Sequence, residues 1–398
     1  MRIMKEITKQ EAKHFLVNYQ LLNGNLKSDK KEGVLEVFDQ IKTIQYDPLN
    51  VVGRNSDLVL QSRIKNYKAN YLDELLYKDR LLIDGWDKMM SIYSISDWPY
   101  FNLLRNIKDE SVQNSLKYRN STEALQHTEN VLSILKKSGP MLSTKIDLGS
   151  VTKGSWGHGK IAGAALDYLF HIGRVGVQKK RGTQKVYDLI ENLIPQKLLD
   201  SDPIQDMHEF YCWLLLRRIQ SIGFFWNTNS IVWDGIDTNF KDKCFRKNII
   251  ATLLDQGLLN EVKIENKVFY SAVNIPIEGD LEFDDKIRFL SPLDNILWDR
   301  KFIAEIFNFN YTWEVYTPKE KRKYGYYVLP LLFKGNFIGR IEPVFYKKDK
   351  ILCIKNIWFE KNTKVNSTLK SNLKRSIKNF SNYLGAISII NESDQNII

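Results

Sequence analysis

Between about residues 130 and 195 the apolar pattern changes period, and that switch limits what the chain can build. Val131, Leu132, Leu135 and Leu142 suggest a first helix and the turn after it. Ser143 or Thr144 caps a short second helix, and Gly159 to Gly173 reads as a third, with Ala162, Ala165, Leu166 and Leu169 inward. Val175 to Lys179 and Gln184 to Leu189 then read as strands around a turn at Lys180-Arg181-Gly182-Thr183. Three helices followed by a two-stranded hairpin predict a winged helix, a variant of the helix-turn-helix. The hairpin tip carries Lys179, Lys180, Arg181 and Lys185 with no acidic residue among them. Behind a candidate recognition helix, such a tip suits phosphate contact; elsewhere it would be a solvated hairpin.

A similar rhythm recurs from Asp202 to Val273: helices near Ile204 to Gln220 and Phe240 to Gln256, then a hairpin turned at Glu265-Asn266-Lys267. The N-terminal region reads as a less clearly marked copy. Its first helix opens at the capping box Thr8-Lys9-Gln10-Glu11 and stops at Asn23-Gly24, a second runs from about Gly33 to Lys42, and a helix-rich stretch follows from about Ser56 to Lys78. From about Leu290 the pattern turns to strands: Tyr311 to Tyr316, Gly325 to Phe333, Asn336 to Tyr346 and Ile351 to Phe359. These predict a small antiparallel β-barrel, closed by a helix with Leu369, Leu373, Ile377, Phe380 and Leu384 inward. The expected fold is therefore α+β, with tandem winged-helix modules, a small antiparallel β-barrel and a C-terminal helix. The expected divisions are 1–125, 126–200, 201–280 and 281–398.

Lys and Arg number 58 against 47 Asp and Glu, a formal charge of +11 that suits a polyanion partner, nucleic acid or an anionic membrane surface. A Lys-rich solvated surface would give the same balance. No apolar run reaches the length of a membrane span, and Met1 to Glu6 lacks the apolar core of a signal peptide, so a cytoplasmic protein without a membrane partner is expected. Cys212, Cys244 and Cys353 are widely spaced, and His14, His127, His158, His171 and His208 form no close ligand pair. Neither a metal nor another cofactor is expected.

Little else resembles catalytic equipment except Gln45-Tyr46-Asp47, within a run from Thr43 to Val52 that reads as a short strand. On a strand Gln45 and Asp47 would share one face, where an amide and a carboxylate could hold and polarise a water molecule. The alternative for Asp47 is a turn residue beside Pro48.

Longer motifs surround this pair. They are Ile44 to Val52, Arg54, Leu58 to Arg63, Tyr187-Asp188-Leu189 with Pro195, Leu290 to Arg300, Glu314 to Pro318, Arg322 to Pro330 and Gly339-Arg340. In this order they resemble the DNA glycosylases of the AlkZ/YcaQ type, which unhook interstrand crosslinks and excise alkylated purines. The Gln-x-Asp form is similar to the YcaQ-like branch. The resemblance implies that Gln45 and Asp47 are catalytic and that the partner is double-stranded DNA carrying alkylpurine or crosslink lesions, bound by a monomer. No nucleophilic lysine is picked out for a Schiff base, so a monofunctional reaction that leaves an abasic site is expected. Candidate DNA contacts are Arg54, Arg63, Trp86, Lys88, Lys179, Lys180, Arg181, Lys185, Arg300 and Arg322. Arg54 and Arg63 are equally readable as helix-surface charges, and Trp86 and Tyr46 as core residues. Relatives commonly carry Trp-x-His where this chain has Trp86-Asp87-Lys88. The alternatives to an enzyme are a winged-helix DNA-binding regulator and an adaptor that holds a protein partner.

Overall fold

The computed structural model describes residues 4–146, 148, 161–275 and 282–395. Two compact units emerge, and neither follows sequence order. One combines Met1–Leu72, Leu215–Val232 and Arg246–Ile398; the other combines Asp73–Leu214 and Trp233–Phe245.

The first unit opens with helix Lys9–Tyr19, and the capping box is formed: the Glu11 amide donates to Thr8 Oγ1 at 3.2 Å and the Thr8 amide to Glu11 Oε2 at 2.6 Å. The helix stops four residues before Asn23-Gly24, at Tyr19. Gln20 is fully buried there and its amide donates to the carbonyls of Ser221 and Ile222 at 3.0 and 2.9 Å, so a tertiary contact ends the helix ahead of the sequence signal. The second helix occupies Lys30–Ile41, and Asn55–Gln61 and Ala69–Tyr77 account for the helix-rich stretch. The hairpin read at Glu261 to Val273 is present as Asn260–Ile264 and Lys267–Ser271, in one sheet with Lys5–Ile7 and Phe224–Phe225.

The C-terminal strands form an open five-stranded sheet in the order Arg288–Phe289, Leu329–Phe333, Asn336–Tyr346, Ile351–Phe359 and Ser388–Asn391. Among the described residues no sheet closes, so the expected barrel is corrected to an open sheet. Closure requires the two edge strands to pair. Here one edge has only two residues, and the other, Ser388–Asn391, adds parallel to Ile351–Ile354. Helix Ser367–Leu384 covers a face instead: Leu369, Leu373, Ile377 and Phe380 share one core with Phe289, Leu329, Ile341, Leu352 and Ile354. Pro343 sits at a register shift in the long hairpin, where a residue without an N–H is tolerated.

The stretch Tyr311 to Tyr316 is not a strand. The buried Glu314 carboxylate collects the amides of Lys323, Tyr324 and Gly325 at 2.8, 2.8 and 3.1 Å, and Glu314–Tyr316 forms a single helical turn. Burial opposes the charge, but these three donors hold Glu314 below the ordinary carboxylate value.

In the second unit, helices Thr128–Ser138 and Ile161–His171 precede the hairpin Val175–Arg181 and Gln184–Leu189, and Met141–Leu142 adds a third strand. Val131, Leu135, Ala162, Ala165, Leu166, Leu169, Val175 and Leu189 close its core. Ser143–Lys145 makes only a short 3-10 turn in place of the second helix, and Gly159 and His158 lie outside the described residues. A hairpin of Leu82–Trp86 and Met90–Ser94 carries the Trp86-Asp87-Lys88 element.

The most committed charge in the first unit is Arg63. Its NH1 and NH2 grip Asp294 Oδ2 and Oδ1 at 2.7 and 2.9 Å, and both side chains are fully buried. Its Nε donates to the Gln20 carbonyl, NH2 to Gln20 Oε1 and NH1 to the Val59 carbonyl, all at 2.8–2.9 Å. With its fork occupied, Arg63 ties three segments together. Arg63→Ala is expected to destabilise the protein by about 3–5 kcal/mol, because Asp294 would be left charged and buried. Arg181→Ala, at an exposed position, is expected to cost less than about 0.5 kcal/mol. Denaturant unfolding of the two variants checks the contrast.

Candidate active site

The run from Thr43 to Val52 keeps strand form only over Thr43–Gln45. Asp47 follows in irregular backbone, ahead of Pro48, so strand alternation does not itself place it beside Gln45. Its side chain instead folds onto the next turn, with Oδ1 accepting the Leu49 amide at 2.8 Å. Among the described residues Oδ2 accepts no hydrogen bond. One carboxylate thus combines a turn-making oxygen with one that remains available. Burial raises the Asp47 pKa, and the Leu49 amide offsets this only in part. The buried Tyr327 phenol feels the Asp47 charge, though burial itself and Tyr311 contribute more to raising its pKa.

The segment leading to Asp47 is held through its carbonyls. Asn295 Nδ2 donates to the carbonyls of Ile41 and Thr43 at 3.3 and 2.9 Å, and Arg217 NH2 to that of Lys42 at 3.1 Å. Asn55 Nδ2 takes the Gln45 carbonyl, and Ser291 Oγ donates to Asn55 Oδ1. Asn55, Arg217, Ser291 and Asn295 are all buried. Ser291 and Asn295 flank Asp294, the partner of Arg63, so the motif Leu290 to Arg300 anchors Arg63 and braces the Gln45–Asp47 segment together. Sequence reasoning quoted that motif without finding this task. A buried polar trio inside an apolar stretch was the available signal.

The candidate DNA contacts fall into two groups. Lys179 and Arg181 are exposed at the hairpin tip. Lys180 points to the other face, where its Nζ pairs with the buried Asp84, and the Lys185 amine packs over the Phe170 ring at 4.8 Å. Burial lowers the Lys185 pKa. Strand alternation therefore divides the four-charge tip into two outward and two inward cations. Lys88 is buried, and its carbonyl carbon and oxygen stand where a Cβ on Gly235 would clash, at 2.5 and 1.8 Å. With φ at +95°, that position needs glycine. These placements give Lys180 and Lys185 pairing and packing tasks inside the second unit.

Trp86 donates its indole N–H to the Gly235 carbonyl at 2.7 Å. His171 lies 4.7 Å from its ring, centroid to centroid, and Lys108 Nζ lies 4.6 Å over it. A histidine from the helix Ile161–His171 thus meets Trp86 although none occupies position 88. Arg54 pairs with Asp57, which also accepts the Tyr67 hydroxyl at 2.7 Å. Arg300 donates to the Pro292 carbonyl at 2.6 Å and covers the Tyr311 ring, while the partly exposed Arg322 donates to the Thr317 carbonyl at 2.8 Å. Among the described residues no group of three or more His, Cys, Asp or Glu could hold a metal ion. No helix among them is long and apolar enough to cross a membrane.

The family model described as DNA glycosylase AlkZ-like matches residues 38–379, a span that contains Gln45, Asp47 and all four bracing residues. The chain belongs to the AlkZ-like DNA glycosylase family. Its fold is similar to that of Streptomyces sahachiroi DNA glycosylase AlkZ, with a TM-score of 0.63 at 14% identity, over 98% of this chain and 100% of that one. Membership in the AlkZ-like family makes the chain a glycosylase with DNA as its substrate. For an AlkZ-like enzyme that uses Asp47 ionised, activity is present above the raised Asp47 pKa and is lost as pH falls through it. The acid limb of the single-turnover rate is therefore expected to lie above 3.8, the ordinary value for an Asp. A rate that stays flat until acid unfolds the protein would contradict an ionised Asp47.

Proposed function

We propose that this glycosylase hydrolyses the N-glycosidic bond of N7-alkylated purines and unhooks interstrand crosslinks, with Asp47 and Gln45 as the reacting pair. The observation that carries the reading is the Asp47 carboxylate: one oxygen fixed by the Leu49 amide, the other open, on a braced segment. An N7-alkylated guanine is cationic and leaves without general-acid assistance. The C1′–N9 bond breaks with its electrons passing to the base, and the sugar becomes oxocarbenium-like. Water adds to C1′ and gives its proton to Asp47, whose charge also stabilises the cation. The Gln45 amide orients that water. No lysine takes part, so the product is an abasic site with the strand intact.

A crosslink tethers two bases, which hinders full rotation of either into a closed pocket. The exposed positions of Pro48 and Asn50 beside the Asp47 turn suit a site that works along the groove. We read helices Thr128–Ser138 and Ile161–His171 and the hairpin that follows as parts of a winged helix whose exposed Lys179 and Arg181 meet phosphate, with Arg322 as a further contact. A positioned base contributes about 10²–10⁴-fold. Asp47→Asn is therefore expected to slow 7-methylguanine release from methylated DNA by about that factor, with duplex affinity retained. Release at the wild-type rate would overturn the assignment, and sequence-specific binding without release would favour a DNA-binding regulator. Borohydride is expected to trap no protein–DNA adduct; a trapped adduct would show a lysine nucleophile instead.

A further inference from the structure

A groove of about 820 Å³ in the first unit is lined by residues from 61–69, 284–289 and 375–383, none of them among the candidate DNA contacts except Arg63. Asp294 already holds the Arg63 charge. The remaining lining cations are Lys65, Lys68, Lys286, Arg288 and Arg375, and they face one lining carboxylate, Asp284. Arg288 uses NH1 and NH2 to bind Asp284 at 2.7 and 2.8 Å. Its Nε is buried and has no hydrogen-bond partner among the described residues, although Arg288 itself is only 3% exposed. A buried donor without an acceptor is costly, and an anion would supply one. Lys286 donates to the Gln61 carbonyl at 3.1 Å, and its pKa is pushed down to about 8 by burial and then by Arg288. An anion beside the amine would oppose both causes by direct attraction to the ammonium.

The groove has more than charge. The rings of Tyr67 and Tyr383 lie 6.2 Å apart on its wall, and Asn66, Asn379 and Asn382 add amides. Tyr383 also borders the chain that follows Asp47: a Cβ on Gly53, where φ is +126°, would stand 3.1 Å from its hydroxyl. One wall residue of the groove therefore abuts the chain six residues after Asp47. A membrane surface is flat and cannot follow a concave, amide-lined wall, whereas a phosphodiester backbone can.

We infer that this groove is a phosphate-tracking subsite that holds one strand of the DNA backbone beside the Asp47 loop, with Lys65, Lys68, Lys286 and Arg375 as phosphate contacts and Arg288 as its buried floor. The inference extends the glycosylase reading but does not depend on catalysis, because its test uses undamaged DNA. Lys65 and Lys68 are exposed, so the double variant Lys65→Gln/Lys68→Gln is expected to fold normally. Binding of a fluorescent mixed-sequence duplex is followed by anisotropy across a salt series. Each lost phosphate contact removes about 0.9 from the slope of log K against log salt, so the variant is expected to lose nearly 2 and to bind more weakly. Lys361→Gln/Lys364→Gln, with the same charge loss on a different groove of this unit, is expected to change the slope less. Affinity and slope equal to wild type would overturn the inference, as would an equal loss in the Lys361/Lys364 variant. Loss of binding to phosphatidylserine vesicles with duplex binding retained would also overturn it, in favour of a membrane ligand. If Asp47→Asn releases base as fast as wild type, the catalytic reading fails and this one stands.

Discussion

The buried ion pair between Arg63 and Asp294 is the constraint on which the first unit depends. Removing two charges from water costs several kcal/mol per ion unless every donor and lone pair is matched. Arg63 meets that condition with Asp294, Gln20 and Val59 around one guanidinium. The arrangement fixes Asp294 in place, and Ser291 and Asn295 on either side of it then hold Asn55 and the carbonyl of Thr43. The strand before Asp47 is positioned by a polar network whose groups would be expensive to leave unpaired, rather than by a long ladder. A three-residue strand alone could not hold a carboxylate steady enough to guide water.

Charge in this chain is sorted by the backbone. Along the hairpin Val175–Arg181, alternation sends Lys179 and Arg181 to solvent and turns Lys180 toward Asp84. A net charge of +11 therefore overstates what any one surface presents. In the first unit the opposite occurs: cations far apart in sequence, Lys65, Lys286 and Arg375 among them, line one groove with a single acidic neighbour. Burial there lowers the Lys286 pKa, and the neighbouring Arg288 adds to the shift.

Much of the fold was legible where local pattern decides it. Asn336–Tyr346 and Ile351–Phe359 match the expected strands in both bounds, because β-branched and aromatic residues lie between clear turns. The C-terminal helix was legible from its apolar face at Leu369, Leu373, Ile377 and Phe380. Closure of the sheet was not, since it depends on edges, and neither Arg288–Phe289 nor the parallel Ser388–Asn391 carries a strong strand signal. At the site, residue types alone left Asp47 open as turn residue or base; the resemblance to a family favoured the base, and the structure shows the turn contact. The bracing asparagines escaped notice because nothing local to Asn295 indicates a carbonyl at Thr43, some 250 positions away. The partners of Arg63 and Lys180 were not legible for a related reason: a charge looks solvent-facing until its distant partner is known.

We propose that a braced backbone, and not Asp47 alone, makes this site competent. Asn55→Ala isolates the brace, since it removes the donor to the Gln45 carbonyl and leaves the proposed reacting pair in place. Single-turnover release of 7-methylguanine at saturating DNA should be slower in this variant, with faster amide exchange over residues 43–49 and duplex affinity retained. A wild-type rate accompanied by unchanged exchange over that segment would contradict the account.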